Sequence, residues 1–157
     1  MRVTDVAVFS EQHSDPDAAH MAAFTADDLD DPDVFGQYWR QILENDAITS
    51  YTVQHHGAVA GYVLAYPWAE TLEVSYWLGR RFWGQGIATA AVRHLVTVLG
   101  VRPLTAHVAQ DNVGSLRVLE KCGFAVMGSG SAYSSNPGHP AARRHRTIRL
   151  ADPPDNR

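Results

Sequence analysis

The chain has 157 residues, 45% of them apolar and 19% charged, with a net charge of −4; this suits one folded domain over residues 1–157 and excludes a disordered polymer. It has no run of about 18 apolar residues that could cross a bilayer, and its single cysteine, Cys122, excludes an internal disulfide framework. The first residues are polar and acidic where a secretory leader would be apolar, so a cytoplasmic protein with no membrane partner is expected. Eleven of the 17 acidic residues precede residue 50, whereas 11 of the 13 basic ones lie from Arg80 onward. A field favouring an anionic ligand is therefore expected in the second half. No basic stripe interleaved with aromatics is present, which argues against a nucleic-acid partner.

In chain order, residues 3–9 alternate enough to predict a first strand. Ser14-Asp15-Pro16 offers a cap and a first-turn proline for a short helix reaching Phe24, and Asp31-Pro32 repeats the device for a second. The second carries Phe35, Tyr38, Trp39, Ile42 and Leu43 on one face. Between them runs an acidic loop with Asp27, Asp28, Asp30, Asp31 and Asp33. Residues 47–55 and 59–67 read as a hairpin turning at His56-Gly57, and residues 73–78 continue the meander. Gly84 and Gly86 then free the backbone before an Ala/Val/Leu-rich helix from Ile87 to about Leu99, stopped by Gly100. A short strand at 104–108 follows, then a helix from Asn112 to Gly123, a strand at 124–131 and a last one at 147–150. The strand-helix-strand crossover implies parallel pairing of its two strands. The Pro/Gly/Ser-rich segment 134–146, basic at Arg143, Arg144 and Arg146, reads as a mobile loop, and 151–157 as a tail.

The strand-loop-helix unit centred on Gly84 and Gly86 holds the main chemical signal. Such a junction aims several N–H groups and the positive end of a helix dipole into one small space, where a phosphate would fit. A P-loop is not indicated, because the Gly-Lys-Ser/Thr is missing, and a dinucleotide fingerprint lacks its third glycine. The eight histidines have no metal-ligand spacing, so no metal is expected.

Arg81-x-x-Gly84-x-Gly86-Ile87-Ala88, following Ser75-Tyr76-Trp77-Leu78, resembles the acetyl-CoA pyrophosphate loop of the GNAT family of N-acetyltransferases. Its Tyr-Trp-Leu and Trp-Gly-Gln-Gly wording is most similar to the branch that acetylates ribosomal-protein N-termini. A second block stands at the expected distance: Asn112-x-x-Ser115-x-x-Val118-Leu119-Glu120-Lys121-x-Gly123-Phe124. The resemblance is strong over residues 60–127, weaker before them and nearly absent from 128 onward. It implies an α/β fold: a mixed, mostly antiparallel sheet of six or seven strands, flanked by about four helices, with splayed fourth and fifth strands. It also implies acetyl-CoA as co-substrate and transfer to a primary amine by direct attack in a ternary complex. The partners expected are thus acetyl-CoA and an amine acceptor, the chain being a monomer or a homodimer.

Carried over residue by residue, the resemblance places the pyrophosphate on the backbone of Arg81, Gly84, Gln85, Gly86, Ile87 and Ala88, with Arg80 or Arg81 near a phosphate. The pantetheine arm would add to the strand edge at Trp77 and Leu78, where a backbone N–H near Leu78 would hold the oxyanion. Asn112 would bond the pantetheine amide. Ser115 would donate to the departing thiolate, a role many members give to tyrosine. Glu73 matches by position a carboxylate that acts as base through water in relatives with the Tyr-Trp-Leu wording, while His107 competes for that role on its residue type. Cys122 reads as a packing residue.

The loop between the first two helices borders the acceptor site in the resembled family, so its aspartates point to a cationic acceptor. A protein N-terminus, a free amino acid or polyamine, and an aminoglycoside-like compound all remain open. A non-catalytic acyl-CoA-binding or regulatory module of the same fold is the alternative.

Overall fold

The computed structural model describes residues 1–21, 31–133 and 142–151. Among these, three helices come first: α1 (Asp5–His13), α2 (Pro16–Met21) and α3 (Pro32–Glu44). The meander β1 (Thr49–His55), β2 (Ala58–Trp68) and β3 (Thr71–Leu78) follows, and then α4 (Ile87–Leu99), β4 (Leu104–Ala109), α5 (Val113–Lys121), β5 (Ala125–Tyr133) and β6 (Ala142–Leu150). The six strands form one sheet in the order β1-β2-β3-β4-β6-β5, antiparallel throughout except for the parallel β3–β4 pair. No helix among the described residues is long and apolar enough to cross a membrane.

The N-terminal segment corrects the sequence reading, since residues 3–9 contribute to a helix and not to a strand. Asp5 and Phe9, one helical turn apart, both point inward. Burial opposes the Asp5 charge, but hydrogen bonds from the Thr52 hydroxyl (2.7 Å) and the Arg2 N–H (2.9 Å) outweigh it and leave the pKa lowered. Phe9 packs its ring 5.0 Å from Trp39 and 5.1 Å from Tyr62. Those tertiary contacts override a local alternation that was only weakly strand-like. The strands expected fourth and fifth are consequently β3 and β4.

The other elements follow local chemistry. Asp15 and Asp31 cap α2 and α3, each accepting two backbone N–H groups, and a proline occupies the first helical position of both. Gly100 closes α4 in the left-handed region at φ 62°. β6 begins at Ala142, so Arg143, Arg144 and Arg146 belong to a strand and not to the expected loop. Residues 134–141, Asp27, Asp28, Asp30 and the expected end of α2 at Phe24 lie outside the described residues.

Both faces of the sheet are covered. Val63, Ala65 and Val74 face α4 and α5 in a cluster with Val92, Leu95, Leu119 and Ile148. Tyr62, Leu64 and Trp77 face the other way, onto Phe9, Phe35 and Trp39 of α1 and α3. This two-sided cover explains why residues 60–65 of β2 read as a continuous apolar run and are all buried. Each large apolar side chain removed from water contributes roughly 1.5–3 kcal/mol.

At the end of α1 the His13 ring stacks on Trp77 (3.7 Å between centroids) and shares a 3.0 Å hydrogen bond with the Tyr62 hydroxyl. Burial lowers its pKa from 6.5 to about 4. The unfolded chain therefore binds more protons than the folded one between those values. This stabilising contribution is complete above about pH 6.5 and is lost as the pH falls towards 4, a change of at most about 3 kcal/mol. His13→Phe should flatten the pH dependence of unfolding free energy over that window, as read by urea denaturation; unchanged curves would refute the assignment.

A second prediction concerns Gly61, where an added Cβ would overlap the backbone carbonyl oxygen of Trp77 on the neighbouring strand. Because backbone cannot yield as a side-chain end can, Gly61→Ala should cost roughly 2–4 kcal/mol in urea unfolding at an unchanged m value. A loss below about 0.5 kcal/mol, within the range of ordinary surface substitutions, would show that the strands separate freely there.

Candidate active site

β3 pairs with β2 along its whole length, from Gly61 opposite Leu78 to Trp68 opposite Thr71. With β4 it pairs only at Leu72–Leu104 and Glu73–Thr105, after which β4 follows β6 as far as Ala109. The two strands therefore part beyond Glu73, as the expected splay required. Gly79 donates its N–H to the Ala60 carbonyl, and antiparallel alternation from that pair turns the N–H groups of Tyr76 and Leu78, which lie beyond the last β3–β4 pair, away from β2 and into the gap. The Leu78 carbonyl accepts from the Trp83 indole at 2.8 Å. Around the gap lies a cleft of about 630 Å³ that reaches from Tyr66, Glu73 and His107 to Gly84, Gly86 and Ile87.

At the loop end, a single 3₁₀ turn (Arg80–Phe82) leads to Gly84 and Gly86, both left-handed at φ 72° and 78°. Only glycine adopts this conformation without strain. Gly86 starts α4 with no capping side chain, and the first helical bond runs from the Ala90 N–H to the Gly86 carbonyl. The N–H groups of Ile87, Ala88 and Thr89 thus have no acceptor within the helix. A Cβ at Gly84 or Gly86 would meet nothing within 4 Å, so the approach to this backbone is open.

The charged neighbours are placed otherwise than expected. Arg80 pairs with Asp15 (3.9 Å) and Asp17 at α2, and the Arg81 guanidinium lies 4.7 Å over the Phe82 ring. Neither lines the cleft, nor does Gln85, whose amide donates to the Arg81 carbonyl at 2.8 Å and braces the turn.

Trp77 and Leu78 both line the cleft. The Trp77 indole is buried against His13, and Leu78 packs with Phe82 and Ile87. On the opposite wall α5 begins at Asn112, whose Oδ1 accepts the Ser115 N–H (3.0 Å) while its Nδ2 donates to the Met21 carbonyl (2.9 Å). Asn112 thereby caps α5 and ties it to α2. Ser115 lines the cleft beside Tyr76, whose hydroxyl donates to the Ser115 carbonyl at 3.3 Å. Burial pushes the Tyr76 pKa up to about 12, which keeps it a neutral donor. Cys122 sits at the end of α5 with its thiol directed to the Thr89 carbonyl, and burial raises its pKa. It packs against the core as its residue type suggested.

At the other end of the cleft the two rival bases form one unit. Glu73 Oε2 lies 2.7 Å from His107 Nδ1, and Glu73 Oε1 accepts from the Tyr66 hydroxyl at 3.2 Å. Burial and then the Glu73 charge raise the Tyr66 pKa, so its proton stays in place. The Trp68 ring approaches His107 edge-on, 6.2 Å between centroids. Sequence reasoning missed Tyr66, although the hairpin register held the signal: Tyr66 stands directly opposite Glu73, which puts both side chains on one face.

Comparison with known proteins adds three findings. The model of the acetyltransferase (GNAT) domain matches residues 1–125. No curated protein matches the sequence. Among solved structures, a ribosomal-protein-alanine N-acetyltransferase from Brucella melitensis superposes with a TM-score of 0.80 at 16% identity, covering 96% of each chain. An aminoglycoside acetyltransferase in complex with coenzyme A gives 0.72 at 20% identity, over 97% of this chain and 92% of the other. A spermidine N-acetyltransferase from Vibrio cholerae gives 0.73 at 13% identity, over 96% and 90%. These likenesses establish the fold, and the family model, which spans most of the chain, establishes the membership: the protein belongs to the GNAT family and is an N-acetyltransferase.

Proposed function

We propose that the chain moves the acetyl group of acetyl-CoA to a primary amine by direct attack, with both substrates held in the cleft at once. The observation that carries this reading is the cleft's polarity: open backbone N–H groups at the Gly86 end, a carboxylate–imidazole pair at the other, and an unpaired strand edge between them. The pyrophosphate belongs on the N–H groups of Gly84 to Ala88 and the positive end of α4. The pantetheine arm takes the free edge of β3, and the Leu78 N–H faces the thioester oxygen. The Glu73–His107 pair accepts the proton of the incoming ammonium, and Ser115 donates to the departing thiolate. Asn112 reaches the pantetheine amide if its side chain exchanges the Met21 carbonyl for the ligand. Arg80 and Arg81 supply a general positive field near the loop.

The acceptor in this reading is a protein N-terminus or a small cationic amine. Support comes from the aspartate-rich segment before α3 and from the amine acceptors named for the similar structures. Release of CoA thiol from acetyl-CoA should be measured with spermidine, an aminoglycoside and a lysine-rich peptide beginning with alanine. Turnover with at least one is expected. Tight CoA binding with no turnover across the panel would identify a non-catalytic acyl-CoA module instead.

The cofactor assignment has its own test. Gly86→Ala places a methyl group in the open mouth of the loop and should weaken CoA binding at least about tenfold by titration calorimetry, with a stability cost of roughly 1–2 kcal/mol for the left-handed backbone. Gly100→Ala carries a similar backbone strain at φ 62° away from the cleft and should leave CoA affinity unchanged. Equal CoA affinity in both variants would remove the loop from the binding site.

A further inference from the structure

We infer that Trp83 is a positioning residue that holds the two halves of the acyl-CoA site, the free edge of β3 and the glycine loop, in register; this rests on the acyl-CoA reading above. The Leu78 carbonyl is the starting point. The N–H and C=O of one residue in an antiparallel strand point to the same side, so the alternation that turns the Leu78 N–H into the gap turns its carbonyl there too. A neighbouring strand would ordinarily supply that carbonyl with a donor. β4 does not, because its pairing with β3 ends at Glu73–Thr105. The Trp83 indole N–H takes the place of the missing strand, donating to the Leu78 carbonyl at 2.8 Å from five residues farther along the chain.

This bond sets the length of the open edge. β4 closes it at Glu73 and the indole closes it at Leu78, so an arm lying along β3 must leave the strand at Leu78. Trp83 also stands directly before Gly84, at the end of a turn whose own main chain is tied internally: Phe82 N–H donates to the Gly79 carbonyl at 2.9 Å and Trp83 N–H to the Arg80 carbonyl at 3.1 Å. The indole adds a directional bond from that turn to the strand edge. Burial separates this tryptophan from those of the core, since Trp83 is 40% exposed whereas Trp39 and Trp77 are 1% and 8%. Its ring lines the cleft together with Leu78, Gly84 and Gly86, at the corner where the arm of the ligand and its pyrophosphate would meet.

A ligand with two bound parts gains affinity when contact by one part raises the effective concentration of the other, and that gain depends on the separation of the two half-sites being fixed. A turn free to shift against β3 would leave each half-site intact and lose the gain. Trp83→Phe keeps an aromatic ring and removes the donor. It should weaken CoA binding about tenfold by titration calorimetry, while the affinities for ADP, which has the pyrophosphate without the arm, and for pantetheine, which has the arm without the phosphates, change less than about twofold in NMR shift titrations reaching about 20 mM. Site-specific replacement of Trp83 by 3-benzothienylalanine, a ring of the same size with sulfur where the N–H stands, should reproduce the loss. Urea unfolding checks that both variants are folded.

Wild-type CoA affinity in the benzothienylalanine protein would assign the effect to ring packing and overturn the inference. A loss shared in full by ADP alone or by pantetheine alone would confine Trp83 to one half of the site and overturn it as well. So would unchanged CoA affinity in Trp83→Phe, or a wild type that binds CoA but not both fragments. A wild type that binds no CoA would instead overturn the acyl-CoA reading, and the inference with it.

Discussion

Most of the site depends on β4 leaving β3 after two paired positions. An inner strand of a sheet ordinarily satisfies its main chain on both sides. Here β3 remains bonded to β2 through Leu78 while β4 continues along β6, so each keeps one full partner and the side between them is open. Moving the strands together would close the cleft and remove the reason for two other features. Gly84 and Gly86 bring the start of α4 to the wide end of the gap, and Asn112 starts α5 on its opposite wall. The two helix origins therefore face a single space, which concentrates unpaired N–H groups beside an unpaired strand edge.

Electrostatic sorting runs along the same axis. The Gly86 end is built from backbone dipoles, whereas the other end is built from side chains on three neighbouring strands: Tyr66, Glu73 and His107. Between them, His13, Trp77 and Tyr62 form a stacked aromatic floor at the centre of the cleft. The exposed arginines beside the loop also make contacts within the chain. Arg80 is spent on Asp15 and Asp17, an exposed pairing of modest strength that fastens α2 to the glycine loop.

Legibility in the sequence tracked the range of the interaction involved. Features set within a few residues were readable: the Asp31-Pro32 start of α3, the Gly100 stop of α4, the turn at His56-Gly57 and the two glycines of the loop. Features set by distant partners were not. Residues 5–9 become helical because Thr52, Trp39 and Tyr62, all far along the chain, receive Asp5 and Phe9. β6 starts at Ala142 because β5 templates it, against the turn-rich and basic wording of that segment. Within the site, Glu73 and His107 were recognised separately as rival bases, and only the strand register revealed that they touch.

The gap between β3 and β4 presents main-chain groups, and main-chain groups are the same in every amino acid. The side chains of β3 can therefore change, within the limits of packing, while the hydrogen-bonding surface at Tyr76 and Leu78 stays as it is. Substitutions can thus change the side chains that line the cleft without altering the main-chain edge that β3 presents to it.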